Sequence, residues 1–186
     1  MKTKFLFGMA IVLVALASPA SATSVAANLP SDSYSASSLA SNSGAAAAFN
    51  GANWNAGNYG TQWIQVDLGK NYAINGVSLI TDQLPDDVTW QQIYVSDTAI
   101  GGSWVDLTAV AGHTGYTATG TLLTFDFSAI TGRYVEIVAN GGASWTALGQ
   151  ITVSAVPEPS TYAMLLGGLA MLVWGVRRRR GSPENF

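Results

Sequence analysis

Between Asn50 and Val156 the chain never sustains the 3.6-residue period of an amphipathic helix; it breaks instead into short alternating runs separated by turn clusters. The clearest run is Trp63-Ile-Gln-Val-Asp-Leu68, which sets Ile64, Val66 and Leu68 on one face and Gln65 and Asp67 on the other. Gly69-Lys70-Asn71 is then expected to turn the chain. Further β-rich runs are Ala73 to Thr81, Thr89 to Ser96, Ser103 to Ala109, Thr121 to Phe127, Arg133 to Ala139 and Leu148 to Val153. Turn clusters divide them at Leu84-Pro-Asp-Asp87, Ile100-Gly-Gly102, Ala111-Gly-His-Thr-Gly115 and Asn140-Gly-Gly142. Tyr34 to Ser38 reads as an opening strand and Ala45 to Phe49 as a helical turn. Many short strands with no βαβ pattern predict an all-β sandwich or jelly roll.

The two ends of the chain read differently. Lys2 and Lys4 precede the apolar Phe5 to Ala17, and Ala20-Ser21-Ala22 offers the small residues of a cleavage site, so residues 1–22 are expected to be a secretory signal peptide. Residues 23–30 read as a linker and 31–155 as one domain. Residues 156–186 form a tripartite tail: Pro157-Glu158-Pro159, an uncharged run over 161–176, and Arg177, Arg178, Arg179 and Arg180. As a single helix that run would rise about 24 Å against a hydrocarbon core of roughly 30 Å, which suits a transient inner-membrane anchor with its arginine end in the cytoplasm. The two prolines keep the preceding segment extended and open to a protease.

Removing the targeting segments changes the charge. Only Lys70 and Arg133 stand against nine carboxylates between Thr23 and Val156, a net charge of −7 for that stretch. Such a chain repels phosphate backbones, so nucleic acid is not expected as a partner. There is no cysteine, which removes thiol and Cys-zinc chemistry. The only histidine is His113, and the serines have no evident base, so no enzyme is expected. Asp86 and Asp87 read as turn chemistry rather than a glycosidase pair.

The tail resembles the PEP-CTERM sorting signal, on Pro157-Glu158-Pro159, the apolar span and the arginine cluster. That resemblance implies processing by an exosortase near the Pro-Glu-Pro and delivery to the cell surface or extracellular matrix. An ordinary C-terminal anchor would also satisfy an apolar span flanked by arginines. Departing from the usual pattern, Gly181 to Phe186 extends past the basic cluster.

The middle of the chain resembles discoidin or coagulation-factor type C domains, which are galactose-binding-like jelly rolls. Trp63-Ile-Gln-Val-Asp-Leu-Gly69 carries the resemblance, with Asn50-Gly51 and Trp54 ahead of it, and Tyr94-Val-Ser-Asp97, Gly132-Arg-Tyr-Val-Glu-Ile137 and Leu148-Gly-Gln-Ile-Thr-Val153 behind it in the family's order. The resemblance implies a sugar or lipid head group bound by loops at one end, and in several members a structural calcium. Here the metal positions are the amides Asn50 and Gln150 where relatives carry carboxylates, a set that would hold calcium weakly. No arginine follows the strand ending at Leu79, where galactose binders often place one; Asp82 and Gln83 are there instead. Trp145, Asp82, Gln83, Trp90 and Tyr59 are the candidate ligand contacts, with Trp145 as the stacking platform. Trp54, Trp63 and Trp104 are expected in the core, and Arg133 in a supporting ion pair. Two functions follow: a module binding carbohydrate, in particular exopolysaccharide, or a non-catalytic structural matrix protein without sugar recognition.

Overall fold

The computed structural model describes residues 24–40, 43–157 and 165–172. Its sheet is formed by β1 (Tyr34–Ala36), β2 (Asn53–Asn55), β3 (Thr61–Thr81), β4 (Asp87–Ser96), β5 (Ala111–Thr117), β6 (Leu122–Asn140) and β7 (Ala147–Ala155), with a one-turn helix α1 (Ala45–Phe49) packed beside them. All the pairings are antiparallel. The strand order is β2-β7-β3-β6-β4-β5, and β1 lies along β3.

The long strands β3 and β6 organise everything else. They pair with each other from Thr61↔Asn140 to Ile80↔Leu122, with register shifts between Asp67/Tyr72 and Ile74/Gly76. The first half of β3 borders β1 and the second half borders β7, while the last half of β6 borders β4. The β3–β6 ribbon is therefore folded over at its middle, giving one leaf of β1-β3-β6-β4-β5 and a second of β2-β7-β3-β6. The leaves close on one core: Ile64, Val66, Val135 and Ile137 from the first meet Val77, Leu79, Phe125, Ile151 and Val153 from the second. Trp54 is fully buried among them, its indole N–H donating to the Ser38 carbonyl at 2.9 Å.

Several expectations are corrected. Gly69-Lys70-Asn71 does not reverse the chain but lies within β3, where Gly69, at φ 76, sits in the register shift. Residues that favour a turn also favour a bulge, and the resumption of antiparallel pairing with β6 at Tyr72 decides between them. The runs Thr121–Phe127 and Arg133–Ala139 are likewise parts of one strand, β6. Ser103–Ala109 is not a strand; its backbone makes turns, with Ser103 N–H on the Ile100 carbonyl and Leu107 N–H on the Trp104 carbonyl. The stretch around His113, expected as a turn, is the edge strand β5, which exists because it pairs with β4 from Asp87↔Thr117 to Ile93↔Ala111. Residues 24–30 do not behave as a linker: Val25 N–H donates to the Val153 carbonyl at 3.0 Å and Ala26 is fully buried.

The polar side of the Trp63–Leu68 strand is covered as well. Gln65 is buried, its Oε1 accepting the N–H groups of Ile100 at 2.7 Å and Gly101 at 3.0 Å. Next to it across the sheet lies Glu136, 0% exposed, whose Oε2 accepts the Gly102 N–H at 3.0 Å. Gly102 has φ 85 and its backbone lies so close to Trp63 that a Cβ there would stand 2.5 Å from the indole nitrogen, so only glycine closes this loop. Tyr94, Ile100 and Val138, flanked by Trp63, Trp90 and Trp104, make a second small core under the same loop. At the fold of the ribbon Arg133 grips Asp67 through two bonds, Nε–Oδ1 at 2.6 Å and Nη2–Oδ2 at 2.7 Å. That guanidinium holds the Asp67 carboxyl below its usual value.

The signal segment with Ala20 and Ala22, and Glu158, Pro159 and Arg177 to Arg180 of the tail, lie outside the described residues. Of the helix expected over 161–176, residues 165–172 are described and are helical. Among the described residues no helix is long and apolar enough to cross a membrane.

Candidate ligand-binding cleft

The chain segments that leave the sheet at the end opposite the ribbon's fold are 55–60, 82–86 and 140–146. Together they enclose a cleft of about 370 Å³ lined by Asn55, Tyr59, Asp82, Gln83, Leu84, Ser144 and Trp145. Two aromatics stand at its rim: Tyr59 is 66% and Trp145 45% exposed. Their ring centroids are 6.3 Å apart with planes at 78°, so the edge of one ring meets the face of the other.

The loop that carries Trp145 is fixed by its neighbours. Asp87 accepts the Val88 N–H on Oδ1 at 2.7 Å and the Ala143 N–H on Oδ2 at 2.6 Å, clamping the 140–146 loop to the start of β4. Gly142 adopts φ 66 and passes so close that a Cβ would stand 2.6 Å from Asp87 Oδ2. Ser144 Oγ donates to the Leu84 carbonyl, and Thr146 Oγ1 donates to the Gly60 carbonyl at 3.0 Å. Asp86 closes a third loop, accepting the Thr119 N–H at 2.9 Å. The acidic pair thus fastens two loops.

Asp82 sits where β3 ends. Its N–H donates to the Ala147 carbonyl at 3.0 Å and its Oδ2 accepts the Asn53 Nδ2 at 2.6 Å, which aims the carboxylate and leaves Oδ1 for a ligand hydroxyl or ammonium. Among the described residues it is the one formally charged side chain lining the cleft. Gln83 forms the floor rather than a reaching contact: it is 2% exposed, and its Nε2 donates to the Thr117 carbonyl at 3.2 Å and to Thr117 Oγ1 at 2.8 Å. Thr117 continues to Thr89 and Gln91 in a buried polar chain beneath the cleft.

Of the five side chains singled out from sequence, Trp145, Asp82, Gln83 and Tyr59 converge here. Trp90 does not; in β4 it faces the second small core beside Tyr94 and Trp104, because the register sets its side chain on the face covered by the 97–110 loop. Asn55, Leu84 and Ser144 were missed, as were the positioning roles of Asn53 and Asp87. The alternation of Leu84-Pro85-Asp86-Asp87 announces a turn but not that its carboxylate fastens a loop fifty-six residues away.

The two amides at the expected metal positions, Asn50 and Gln150, do line one shared hollow of about 400 Å³. Neither brings a carboxylate to it. Asn50 Oδ1 already accepts the Asn28 N–H at 2.7 Å, and Gln150, at φ 48, is exposed. Among the described residues no group of three or more His, Asp or Glu side chains stands ready for a metal. A hard cation would meet an Asn50 amide oxygen that already accepts one N–H. Nor does the hydrogen-bond pattern among the described residues pair His113, whose Nε2 is buried without a partner, with any hydroxyl nucleophile.

The sequence profile of the F5/8 type C domain matches residues 33–152. The chain belongs to the F5/8 type C domain family. Behind this F5/8 type C domain, residues 155–180 match the PEP-CTERM protein-sorting motif. No curated protein matches the chain. Among solved structures it is similar to chitosan-binding module 1 of a chitosanase/glucanase from Paenibacillus sp. IK-5, at 26% identity over 71% of this chain and 98% of that one, with a TM-score of 0.55. The family 32 CBM from C. perfringens NanJ, solved with galactose, shares the fold at 19% identity over 70% of this chain and 97% of that one, TM-score 0.54. A Streptococcus pneumoniae fucose binding module does so at 14% identity over 73% and 99%, TM-score 0.52.

Proposed function

We propose that this F5/8 type C domain is an exported, non-catalytic module that binds an extracellular polysaccharide through the cleft between Tyr59 and Trp145. The observation that carries the reading is the cleft itself: two exposed rings set edge to face at the rim, an aimed carboxylate at Asp82, and a loop scaffold fastened by Asp87. A sugar offers C–H faces and hydroxyls, and a platform with a few placed polar groups suits both. The chitosan-binding module, at 26% identity, supports a glycan ligand. Because Asp82 is the charge in the cleft, a glycan carrying free amines suits it better than a polyuronate. The PEP-CTERM tail supports handling by an exosortase at the Pro157-Glu158-Pro159 segment, transient anchoring in the inner membrane, and release to the surface or matrix of a cell that makes exopolysaccharide.

Affinity electrophoresis of the full chain through gels containing chitosan, a neutral β-glucan or alginate tests the reading. Retardation by at least one of the first two, lost in Trp145→Ala, is expected. Equal mobility in all three gels, or retardation untouched by Trp145→Ala, rejects it.

A second reading is favoured by the β4–β5 edge, where Val88 and Tyr116 face each other across the strands at 57% and 67% exposure. An apolar pair beside an open sheet edge suits contact with another matrix protein rather than a sugar. Sugar-independent self-association, abolished by Tyr116→Lys with Trp145 intact, would support that reading instead.

A further inference from the structure

Trp145 borders two hollows, not one. On its other side lies a hollow of about 530 Å³ lined by Leu39, Ala40, Ala56, Gly57 and Asn58. The two spaces meet at the exposed indole, and among the described residues nothing charged lines the second. Its walls are built of smaller residues than those of the first, and Gly57, at φ 68, approaches Ala40 so nearly that a Cβ on it would stand 3.2 Å from the Ala40 Cβ. Leu39, 57% exposed, supplies an open apolar edge. The polar group present is Asn58, whose Nδ2 donates to Ser38 Oγ at 3.0 Å, orienting the amide so that its oxygen remains for a ligand.

The floor between the hollows is as firmly built as the rim. Asn58 and Ala56 are stitched to the Trp145 loop through Thr146, whose N–H donates to the Asn58 carbonyl at 3.2 Å and whose carbonyl accepts the Ala56 N–H at 2.9 Å. The two hollows therefore keep a fixed spacing about Trp145 rather than opening and closing independently.

We infer that the second hollow is a further sugar subsite, and that the domain grips consecutive units of an unbranched glycan chain running over Trp145 rather than a single chain-end sugar. This rests on the glycan-binding reading above and adds to it the form of the ligand. One unit lies in the first cleft with a hydroxyl or amine on Asp82; the next presents a C–H face to Leu39, Ala40 and Ala56. The chain crosses the indole between them. A pocket for a terminal sugar would be closed on that side, whereas this one continues.

The test is calorimetric titration of the full chain with glucosamine and its oligomers of two, four and six units, and in parallel with the matching glucose series. An affinity gain of about tenfold or more between one unit and four, then a plateau, is expected, since about 1.4 kcal/mol from one further stacked unit is tenfold. Leu39→Arg, which fills the second hollow from an exposed position, is expected to reduce the four-unit affinity to that of the single sugar while leaving the single sugar unaffected. Trp145→Ala removes both. Binding of the single sugar with no gain on lengthening, or an equal loss for all lengths in Leu39→Arg, overturns the two-subsite arrangement alone. Failure of every member of both series to bind overturns the underlying glycan reading together with it.

Discussion

Replacing Glu136 by glutamine gives the most quantitative check on the structure. Glu136 is 0% exposed, and burial pushes its carboxyl up from 4.5 to about 7, with the N–H groups of Gly102 and Gly101 pulling the other way. Its Oε1 has no partner among the described residues. In the unfolded chain the carboxyl titrates at its ordinary value, so between that value and about 7 the folded protein holds a proton that the unfolded one has released. Folding is then linked to proton uptake. The stabilisation connected with this group is complete below the unfolded value and is lost as the pH rises through about 7, the reverse of a salt-bridged carboxylate such as Asp67. Across that window the penalty grows to about 3 kcal/mol, an upper bound for a group that hydration could reach on ionising. Glutamine keeps the shape and an acceptor for the Gly102 N–H but never ionises. The quantity to follow is the difference in melting temperature between Glu136→Gln and the parent chain, measured by near-UV circular dichroism on the full chain in detergent at pH 4 and pH 8. All other titrating groups are common to both proteins and cancel. The variant should gain on the parent between the two pH values, by up to roughly 10 °C at about 3 °C per kcal/mol for a domain of this size. A difference that stays constant with pH, or that moves in the parent's favour as pH rises, would refute the account of an unpaired carboxylate beneath the 97–110 loop.

Other consequences are simpler to read. Asp87→Ala removes the acceptor of the Ala143 N–H and should cost about 1–2 kcal/mol in urea denaturation, together with a weaker glycan affinity because Trp145 loses its anchored loop. Calcium at millimolar level, or EDTA in its place, should leave the melting temperature unchanged, because Asn50 Oδ1 is already committed to Asn28; a calcium-dependent rise of several degrees would contradict that. Changing Pro157, Glu158 and Pro159 together to alanine should leave the tail attached in the producing cell, seen as a heavier, membrane-associated band; normal release would count against recognition of that segment.

Much of the fold could be read from the chain because a half-buried strand writes its period into the sequence. Ile64, Val66 and Leu68 alternate and are indeed buried. Asp82, Gln83 and Trp145 could be nominated from the family resemblance and Tyr59 from its place beside a loop, although sequence alone did not say that Gln83 would turn inward. What stayed hidden was set by tertiary contact. Gln65 and Glu136 lie on the polar face of their strands, and their burial comes from a loop some thirty-five residues distant in the chain. The same loop claims Trp90. His113 and its flanking glycines have little intrinsic preference for a strand, and become one because β4 offers them a ladder. Gly69-Lys70-Asn71 shows the other limit: a bulge and a reversal use the same residues, and only the partner strand distinguishes them.

The direction of β7 has a consequence for how the molecule is displayed. The strand begins at Ala147, against Asn55 and close to Asp82, and ends at Ala155 against Ile74, after which Val156 N–H donates to the Ala73 carbonyl at 2.8 Å. Nine extended residues, about 30 Å, therefore separate the mouth of the cleft from the point where the sorting tail departs. Val25, hydrogen-bonded to Val153, brings the start of the described chain to that same foot. A protein moored by either terminus would hold its open mouth outward, and trimming at the foot would set it adrift with the mouth untouched.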